Sequence, residues 1–228
     1  MTLDDLLDGL ARDLNDAEQG HAFTTWAKQD LLRWFNEAQC LIFSLRQNLF
    51  TQKKVVKLNP GADQCVCECA TIHQIYGQSD AAGNLIEDSP LPRKSETVAW
   101  RWTKKPCRKS TAGGTQFRLQ GYTFDPEEGG HFMVSPPVPP GEDVYIKIAC
   151  AVAPEEYSLG KPNTPIKDCT ITVAARQWVL FRAMFVDDES QSAFHAALEH
   201  KKTFYELLNL QVARERAYQI QDTKGTAV

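Results

Sequence analysis

Apolar residues in the first fifty positions recur at intervals of three and four. The first such stripe consists of Leu3, Leu6, Leu7, Leu10 and Leu14. The second consists of Leu31, Phe35, Ala38, Ile42, Leu45 and Leu49. This spacing places the apolar side chains along one side of a helix. The pattern therefore predicts two helices, the second of which Thr24 or Thr25 is expected to cap.

Helical spacing returns near the other end of the chain. One stripe consists of Ile171, Ala174, Trp178, Phe181 and Phe185. After a break at Asp187 and Asp188, another consists of Ala193, Ala197, Phe204, Leu207 and Leu208. Beyond Leu210 the sequence is polar, so this last helix is expected to fray before Gly225.

Between the helical ends, apolar and polar residues alternate. A short apolar run at Val55, Val56 and Leu58 ends at the turn signal Asn59-Pro60-Gly61. Alternating segments follow at residues 65–73, 98–103, 116–124, 131–134 and 144–152, separated by glycine and proline. A period of two is typical of half-buried strands. The middle of the chain is therefore predicted to be five or six short antiparallel strands.

These elements predict an α+β fold. The simplest way to bury four apolar stripes is a four-helix bundle made of the N-terminal and C-terminal helix pairs, with an antiparallel β module inserted between them. The expected boundaries are 1–50 and 160–210 for the bundle, 51–153 for the β module and 211–228 for a C-terminal tail.

Composition adds little to this picture. The 228 residues are 43% hydrophobic and 24% charged, with a net charge of −4, which is ordinary for a globular protein. The acidic N-terminus does not resemble a signal peptide, and no apolar run is long enough to span a membrane. Seven cysteines without a secretory context are expected to be reduced thiols in a cytosol-like compartment.

Cys65, Cys67, Cys69 and His73 suggest a metal site, because alternate residues of a strand face the same side. On one strand, however, Cys65 and Cys69 would lie about 13 Å apart, whereas a zinc ion needs all its ligands within about 2.3 Å. These cysteines are therefore interpreted as small buried hydrophobes. The same interpretation applies to Cys40, Cys107, Cys150 and Cys169.

No sequence motif of a known catalytic site is present. Asp125, Glu127 and Glu128 cluster beside Pro126 and Gly129, as expected of a solvated turn. We therefore predict no catalytic residue, cofactor or metal. A hydrolase whose active site matches none of these motifs is a third hypothesis, weaker than the two developed in the following paragraphs.

The segment 93–118 is strongly basic, with eight lysines and arginines against Glu96 alone. Trp100 and Trp102 are interleaved with them, and aromatic platforms beside basic groups suit nucleic acids. The alternative is a hairpin with its tryptophans inward and its lysines in water. The candidates for contact with DNA or an acidic partner are Arg101, Lys104, Lys105, Arg108 and Lys109.

The last eighteen residues are mostly polar and carry Arg214, Arg216, Tyr218 and Ile220. They are expected to form either a disordered tail or a segment that becomes ordered on a partner.

Several stretches resemble bacteriophage head–tail adaptor (connector) proteins. The run LLRWFNEAQ at residues 31–39 is similar to "LLRWLNEGQ" in that family's second helix, and FMVSPPVP at 132–139 resembles a strand ending in "PPVP". VLFRA at 179–183, followed by Asp187 or Asp188, is similar to "VLYRA…D". The last helix matches an "A…A…H…F" pattern. The shared order of these stretches is more specific than any one of them, and residues 65–110 fit least well.

The resemblance implies a virion protein of tailed, in particular short-tailed, phages, made in the host cytoplasm and without catalytic residues. It implies a ring, usually dodecameric, between the portal protein and a tail or nozzle protein. Such a ring encloses the channel through which genomic DNA leaves. It also makes residues 214, 216, 218 and 220 candidates for docking to the portal. The runner-up is a nucleic-acid-binding module that uses residues 93–118, with no membrane involved in either case.

Overall fold

The structure is a computed structural model that describes residues 1–19, 22–86, 91–93, 108–111, 114–123, 129–166, 169–186 and 191–225. For residues 108–111, 114–116, 169, 191 and 210–225 it describes the backbone alone. The predicted strand at 98–103, the carboxylates of residues 125–128 and the break at Asp187 and Asp188 lie outside these ranges.

Helix α1 spans Leu3–Asp13 and confirms the first leucine stripe. Thr2 and Asp5 form a capping box: the Asp5 amide donates to the Thr2 hydroxyl at 3.2 Å, and the Thr2 amide donates to the Asp5 carboxylate at 2.8 Å. This reciprocal pairing satisfies amides that the first helical turn leaves without partners. The apolar side of the helix is buried.

Helix α2 spans Lys28–Leu45, and the prediction that Thr24 or Thr25 caps it is wrong. Its N-cap is Ala27, which makes no side-chain hydrogen bond to the helix. Thr24 and Thr25 instead donate hydrogen bonds to the carboxylate of Asp16. The residues before the helix are therefore organised by a buried acceptor, Asp16, in the segment that follows α1, rather than by their own hydroxyls.

Helix α3 spans Cys169–Val186 and helix α4 spans Gln191–Gly225. Helix α3 contacts α1, α2 and α4. The expectation that α4 frays after Leu210 is wrong, because its backbone is helical through Gly225. Residues 211–224 include three Gln, two Ala and two Arg and contain no glycine or proline, so their intrinsic helix propensity is favourable.

The middle of the chain forms antiparallel sheets, which confirms the α+β class. The first has the order β1–β8–β3, and the second has the order β2–β7–β6. A separate hairpin pairs β4 with β5. The strands are β1 Thr51–Lys57, β2 Gly61–Cys65, β3 Thr71–Ser79, β4 Arg108–Thr111, β5 Gly114–Phe117, β6 Gly121–Thr123, β7 His131–Val138 and β8 Tyr145–Ala151.

The strand boundaries differ from the prediction where turns interrupt the alternation. The predicted strand at 65–73 is wrong: β2 ends at Cys65, a turn closes with the Cys69 amide donating to Val66 O at 2.9 Å, and β3 begins at Thr71. The predicted strand at 116–124 is likewise divided between β5 and β6. The clearest pattern, at 144–152, is confirmed by β8.

The strands enclose one apolar core. It includes Ile72 and Ile75 of β3, Ile146 and Ile148 of β8, and Phe132 of β7, each at most 4% exposed. Cys69 and Cys150 lie in this core and form a disulfide, so the expectation that all cysteines are reduced thiols is wrong for this pair.

The chain divides into two compact units. The helical unit comprises Met1–Arg46 and Pro154–Val228, and the β unit comprises Gln47–Ala153. Within the ranges given above, no helix combines the length and apolar character needed to cross a membrane.

Candidate functional site

The four residues that suggested a metal site, Cys65, Cys67, Cys69 and His73, are not brought together as a set. Cys69 is bonded to Cys150, and His73 lies exposed on β3. Cys65 Sγ is instead 3.1 Å from Cys67 Sγ and 3.6 Å from Nε2 of His131 on β7. No group of three or more His, Cys, Asp or Glu side chains that could hold a metal ion occurs among the residues described. The interpretation of Cys40, Cys65 and Cys67 as buried is wrong, since Cys40 and Cys67 are exposed and Cys65 is partly exposed.

An open groove of about 630 Å³ runs beside helix α2 in the helical unit. Two of its carboxylates form ion pairs: Arg33 lies 3.0 Å from Asp30, and Glu37 lies 3.3 Å from Arg182 of α3. Glu156 also lines the groove. The groove is open to solvent rather than an enclosed apolar pocket, so its shape does not identify an active site.

His200 joins the last two helices. Its Nδ1 lies 2.7 Å from Oε1 of Gln177 on α3. Burial lowers the pKa of His200, and the nearby Asp13 carboxylate opposes that shift. A largely neutral imidazole with an amide partner is a structural link between α3 and α4, and His195 instead contacts the ring of Phe194.

Large apolar side chains lie exposed where α3 ends and along the first half of α4. We call them the C-terminal apolar surface; they are Phe185, Val186, Phe194, Leu198 and Tyr205, each between 39% and 59% exposed. The rings of Phe185 and Phe194 lie 5.9 Å apart and join the two helices. Positions 194, 198 and 205 are separated by four and seven residues and therefore fall on one side of α4.

Some residues of the predicted apolar stripes are exposed rather than buried. Phe185 belongs to the predicted stripe of α3, yet the residue is 48% exposed. Leu45 of the α2 stripe is 49% exposed in the same way. Apolar spacing identifies the side of a helix but not whether another part of the same chain covers it. A contiguous exposed apolar patch is a common mark of a protein interface.

The structure describes only two of the five basic candidates for contact with DNA or an acidic partner. Arg101, Lys104 and Lys105 lie outside the described residues. Arg108 and Lys109 are on β4, where their backbones pair with Phe117 and Gln116 of β5. A hairpin at this place fits either interpretation of the basic segment, so contact with DNA or an acidic partner stays a prediction.

The four candidate docking residues lie on the last turns of α4. Arg214 and Tyr218 are four positions apart, as are Arg216 and Ile220, so each pair occupies one side of the helix. The expectation of a disordered tail is not met for residues 211–225, whose backbone is helical.

Comparison with known proteins addresses the resemblance directly. The model of a phage adaptor family, described as SU10 adaptor protein, matches residues 1–225. No curated protein gives a significant match. The family model spans both the helical and the β unit, including residues 65–110, which fitted the resemblance least well. The chain therefore belongs to the SU10 adaptor protein family of phage adaptors.

Proposed function

We propose that this chain is a structural virion protein that acts as a head-to-tail adaptor. In this role, copies of the chain form a ring that joins the portal to the tail or nozzle and encloses the channel for DNA exit. Twelve copies would match the dodecameric ring that the resemblance to head–tail adaptors implies. The family match over residues 1–225 is the observation that carries the proposal.

We propose that the helices and the strands form separate modules. The four helices form a bundle from residues 1–50 and 160–210, the β module is 51–153, and residues 211–228 act separately. Support for the bundle comes from the packing of α3 against α1, α2 and α4. Rings of Trp178 on α3 and Phe204 on α4 lie 5.1 Å apart in that packing.

The C-terminal apolar surface supports self-association. A ring needs a heterologous interface, in which one patch meets a different patch on the next copy. Such interfaces are centred on aromatic side chains that become desolvated. Phe185, Phe194 and Tyr205 supply aromatic groups that the helical unit itself leaves exposed.

The end of α4 suits docking to a second ring. Arg214, Arg216, Tyr218 and Ile220 combine guanidinium, aromatic and apolar groups, which are the residue types enriched at interfaces. An amphipathic helix that enters a groove presents such groups at intervals of four. We therefore assign portal docking to this segment, and no catalytic residue, cofactor or metal to any part of the chain.

The test compares assembly of the wild-type chain and variants on purified portal protein by size-exclusion chromatography with light scattering. The double variant Phe194→Asp/Leu198→Asp should remain folded by circular dichroism and fail to form a multimer. Val173→Asp is the matched control, because Val173 is 49% exposed on α3 outside the C-terminal apolar surface. A wild-type chain that stays monomeric with the portal present would refute the proposal.

Truncation after Leu210 tests the docking segment separately. We expect the shortened chain to lose its affinity for the portal. Portal docking that survives the truncation would exclude a role for residues 211–228.

The alternative function is nucleic-acid binding through residues 93–118, which the eight basic residues of that segment favour. It predicts binding to short DNA that weakens steeply with salt. Charge reversal of Lys104, Lys105, Arg108 and Lys109 should abolish this binding. Reversal of Lys53 and Lys57 on β1 provides a control with the same kind of change elsewhere in the β unit.

A further inference from the structure

The pair Cys65 and Cys67 is not used by the adaptor role. Cys65 is the last residue of β2, and Cys67 lies in the turn that follows. Their sulfur atoms are 3.1 Å apart, although both are free thiols. Disulfide bonds measure about 2.05 Å, so an approach of about 1 Å would join them. Cys67 is exposed, and a small reagent can therefore reach it.

The surrounding turn holds the two thiols in place. The Val66 amide donates to Gly130 O at 3.0 Å, and the Cys69 amide donates to Val66 O at 2.9 Å. Cys69 is further fixed by its disulfide to Cys150. A side chain at position 130 would approach Val66 O to 2.4 Å, so the glycine is needed for this close packing. The dithiol thus lies on a turn that is restrained at both ends.

The structure also places a base beside the pair. Cys65 and His131 are directly opposite in the pairing of β2 with β7. Nε2 of His131 lies 3.6 Å from Cys65 Sγ, close enough to exchange a proton with a small movement.

The two thiols are not equivalent. The hydrogen bond with Cys67 raises the pKa of the Cys65 thiol, and burial and the charge of a Cys67 thiolate raise it further. Cys67 is also the more exposed of the two residues, so a small reagent reaches its thiol first. The thiolate is the form that attacks a disulfide.

We propose that Cys65 and Cys67 form a modification site that a low-molecular-weight disulfide oxidises to an intramolecular disulfide. Cys67 loses its proton to solvent, and its thiolate attacks one sulfur of the small disulfide, forming a mixed disulfide and releasing one small thiolate that takes up a proton from solvent. Cys65 then gives its proton to His131 and attacks Cys67 Sγ, which expels the second small thiolate. The proton passes from His131 to that thiolate. The protein dithiol is oxidised, and one small disulfide is reduced to two thiols.

The test exposes the full-length protein to oxidised glutathione, blocks the remaining thiols with an alkylating reagent, and maps the products by mass spectrometry. Trypsin cleaves after Lys57 and a glutamate-specific protease cleaves after Glu68, so peptide 58–68 carries Cys65 and Cys67 without Cys69. We expect this peptide to be unalkylated and lighter than its reduced form by two hydrogens. Cys40, an exposed thiol on α2 without a described thiol neighbour, should stop at the mixed disulfide.

Variants assign the two roles. Cys65→Ser should leave glutathione attached at Cys67, and Cys67→Ser should leave the remaining thiol no more reactive than Cys40. His131→Gln should slow closure of the mixed disulfide by about tenfold or more, since removal of a positioned base typically costs at least that much.

Several outcomes would overturn the proposal. Peptide 58–68 from the wild-type protein could carry two alkyl groups, or two glutathiones with no closure. It could also be protected from alkylation by added Zn²⁺ with no loss of hydrogens, which would make the pair a metal ligand instead. The peptide measurement does not depend on ring assembly, so failure of the thiol proposal can be distinguished from failure of the adaptor proposal.

Discussion

The helical unit and the β unit join distant parts of the chain in different ways. In the helical unit, residues more than a hundred positions apart are held by packing and hydrogen bonds. The Asn36 side chain, for example, pairs with both the amide and the carbonyl of Tyr157 at 3.1 and 3.0 Å. In the β unit, the disulfide between Cys69 and Cys150 closes 81 residues of chain.

The difference also concerns what each unit leaves exposed. The helical unit leaves aromatic and aliphatic side chains on the C-terminal apolar surface. In the described part of the β unit, exposed large apolar side chains lie on three different segments, at Val55, Leu85 and Met133, and the free thiol of Cys67 is also exposed. We infer that assembly contacts belong mainly to the helical unit, while chemical modification belongs to the β unit.

The largest effect is expected from the core of the helical unit. Phe204 is fully buried and packs against Trp178 at 5.1 Å. Phe204→Ala should lower the free energy of unfolding by about 3–5 kcal/mol, because it leaves a cavity in place of a ring. Chemical denaturation measures the change. Phe194→Ala on the same helix is the control, since Phe194 is 39% exposed and its loss should cost much less.

The covalent link of the β unit gives the next effect. Replacing Cys69 and Cys150 by serine should lower the free energy of unfolding by roughly 2–5 kcal/mol, since the bond restricts a long loop of the unfolded chain. Denaturation of the variant, and of the wild-type protein with and without reductant, gives the value. Cys40→Ser should have no such effect, and a stability unaffected by reductant would show that the link does not stabilise the unit.

A buried carboxylate gives a smaller, pH-dependent effect in the helical unit. Asp16 accepts hydrogen bonds from the amides of Thr24, Thr25 and Trp26, the last at 2.8 Å. Burial is the largest single influence and raises the pKa of Asp16, but the hydrogen bonds together outweigh it and the pKa is lowered. Asp16→Ala should cost about 1–3 kcal/mol, because several donors lose their acceptor.

The sign of the pH dependence follows from the lowered pKa. The Asp16 carboxylate stabilises the folded state above its unfolded pKa of about 3.9, and this contribution is lost as the pH falls through the lower folded value. Thermal unfolding should therefore show the wild-type protein losing stability below about pH 4 more steeply than Asp16→Ala. Parallel curves would mean that Asp16 titrates alike in both states. Glu18→Gln, at an exposed site nearby, is the control.

The smallest effect is expected at the start of α1. Thr2→Ala removes the acceptor for the Asp5 amide and should cost about 0.5–2 kcal/mol. Thr2→Ser keeps a hydroxyl and should restore most of the loss in the same denaturation measurement. Equal stability of the alanine and serine variants would show that the capping box does not contribute.

The sequence predicts the helical unit better than the β unit, for a physical reason. An apolar residue every three or four positions over eighteen residues, as in α2 and α3, specifies a helix almost unambiguously. The alternation at Cys65 to His73 contains a four-residue turn that depends on a distant glycine, Gly130. Such a contact leaves no signal in the local pattern.

The candidate sites show the same limit. Neither the exposure of Phe185 nor the pairing of Cys65 with His131 is encoded locally, because each depends on which segment lies opposite. The end of α4 is a different case. Its helix propensity is visible in the sequence, because polar composition alone does not end a helix and residues 211–224 contain no glycine or proline.

The most direct test of the assembly account is cryo-electron microscopy of the chain mixed with portal protein. The account predicts a ring of copies on the portal in which neighbouring helical units meet through Phe185, Phe194 and Tyr205. A portal without a ring, or a ring in which these three side chains remain in solvent, would contradict it.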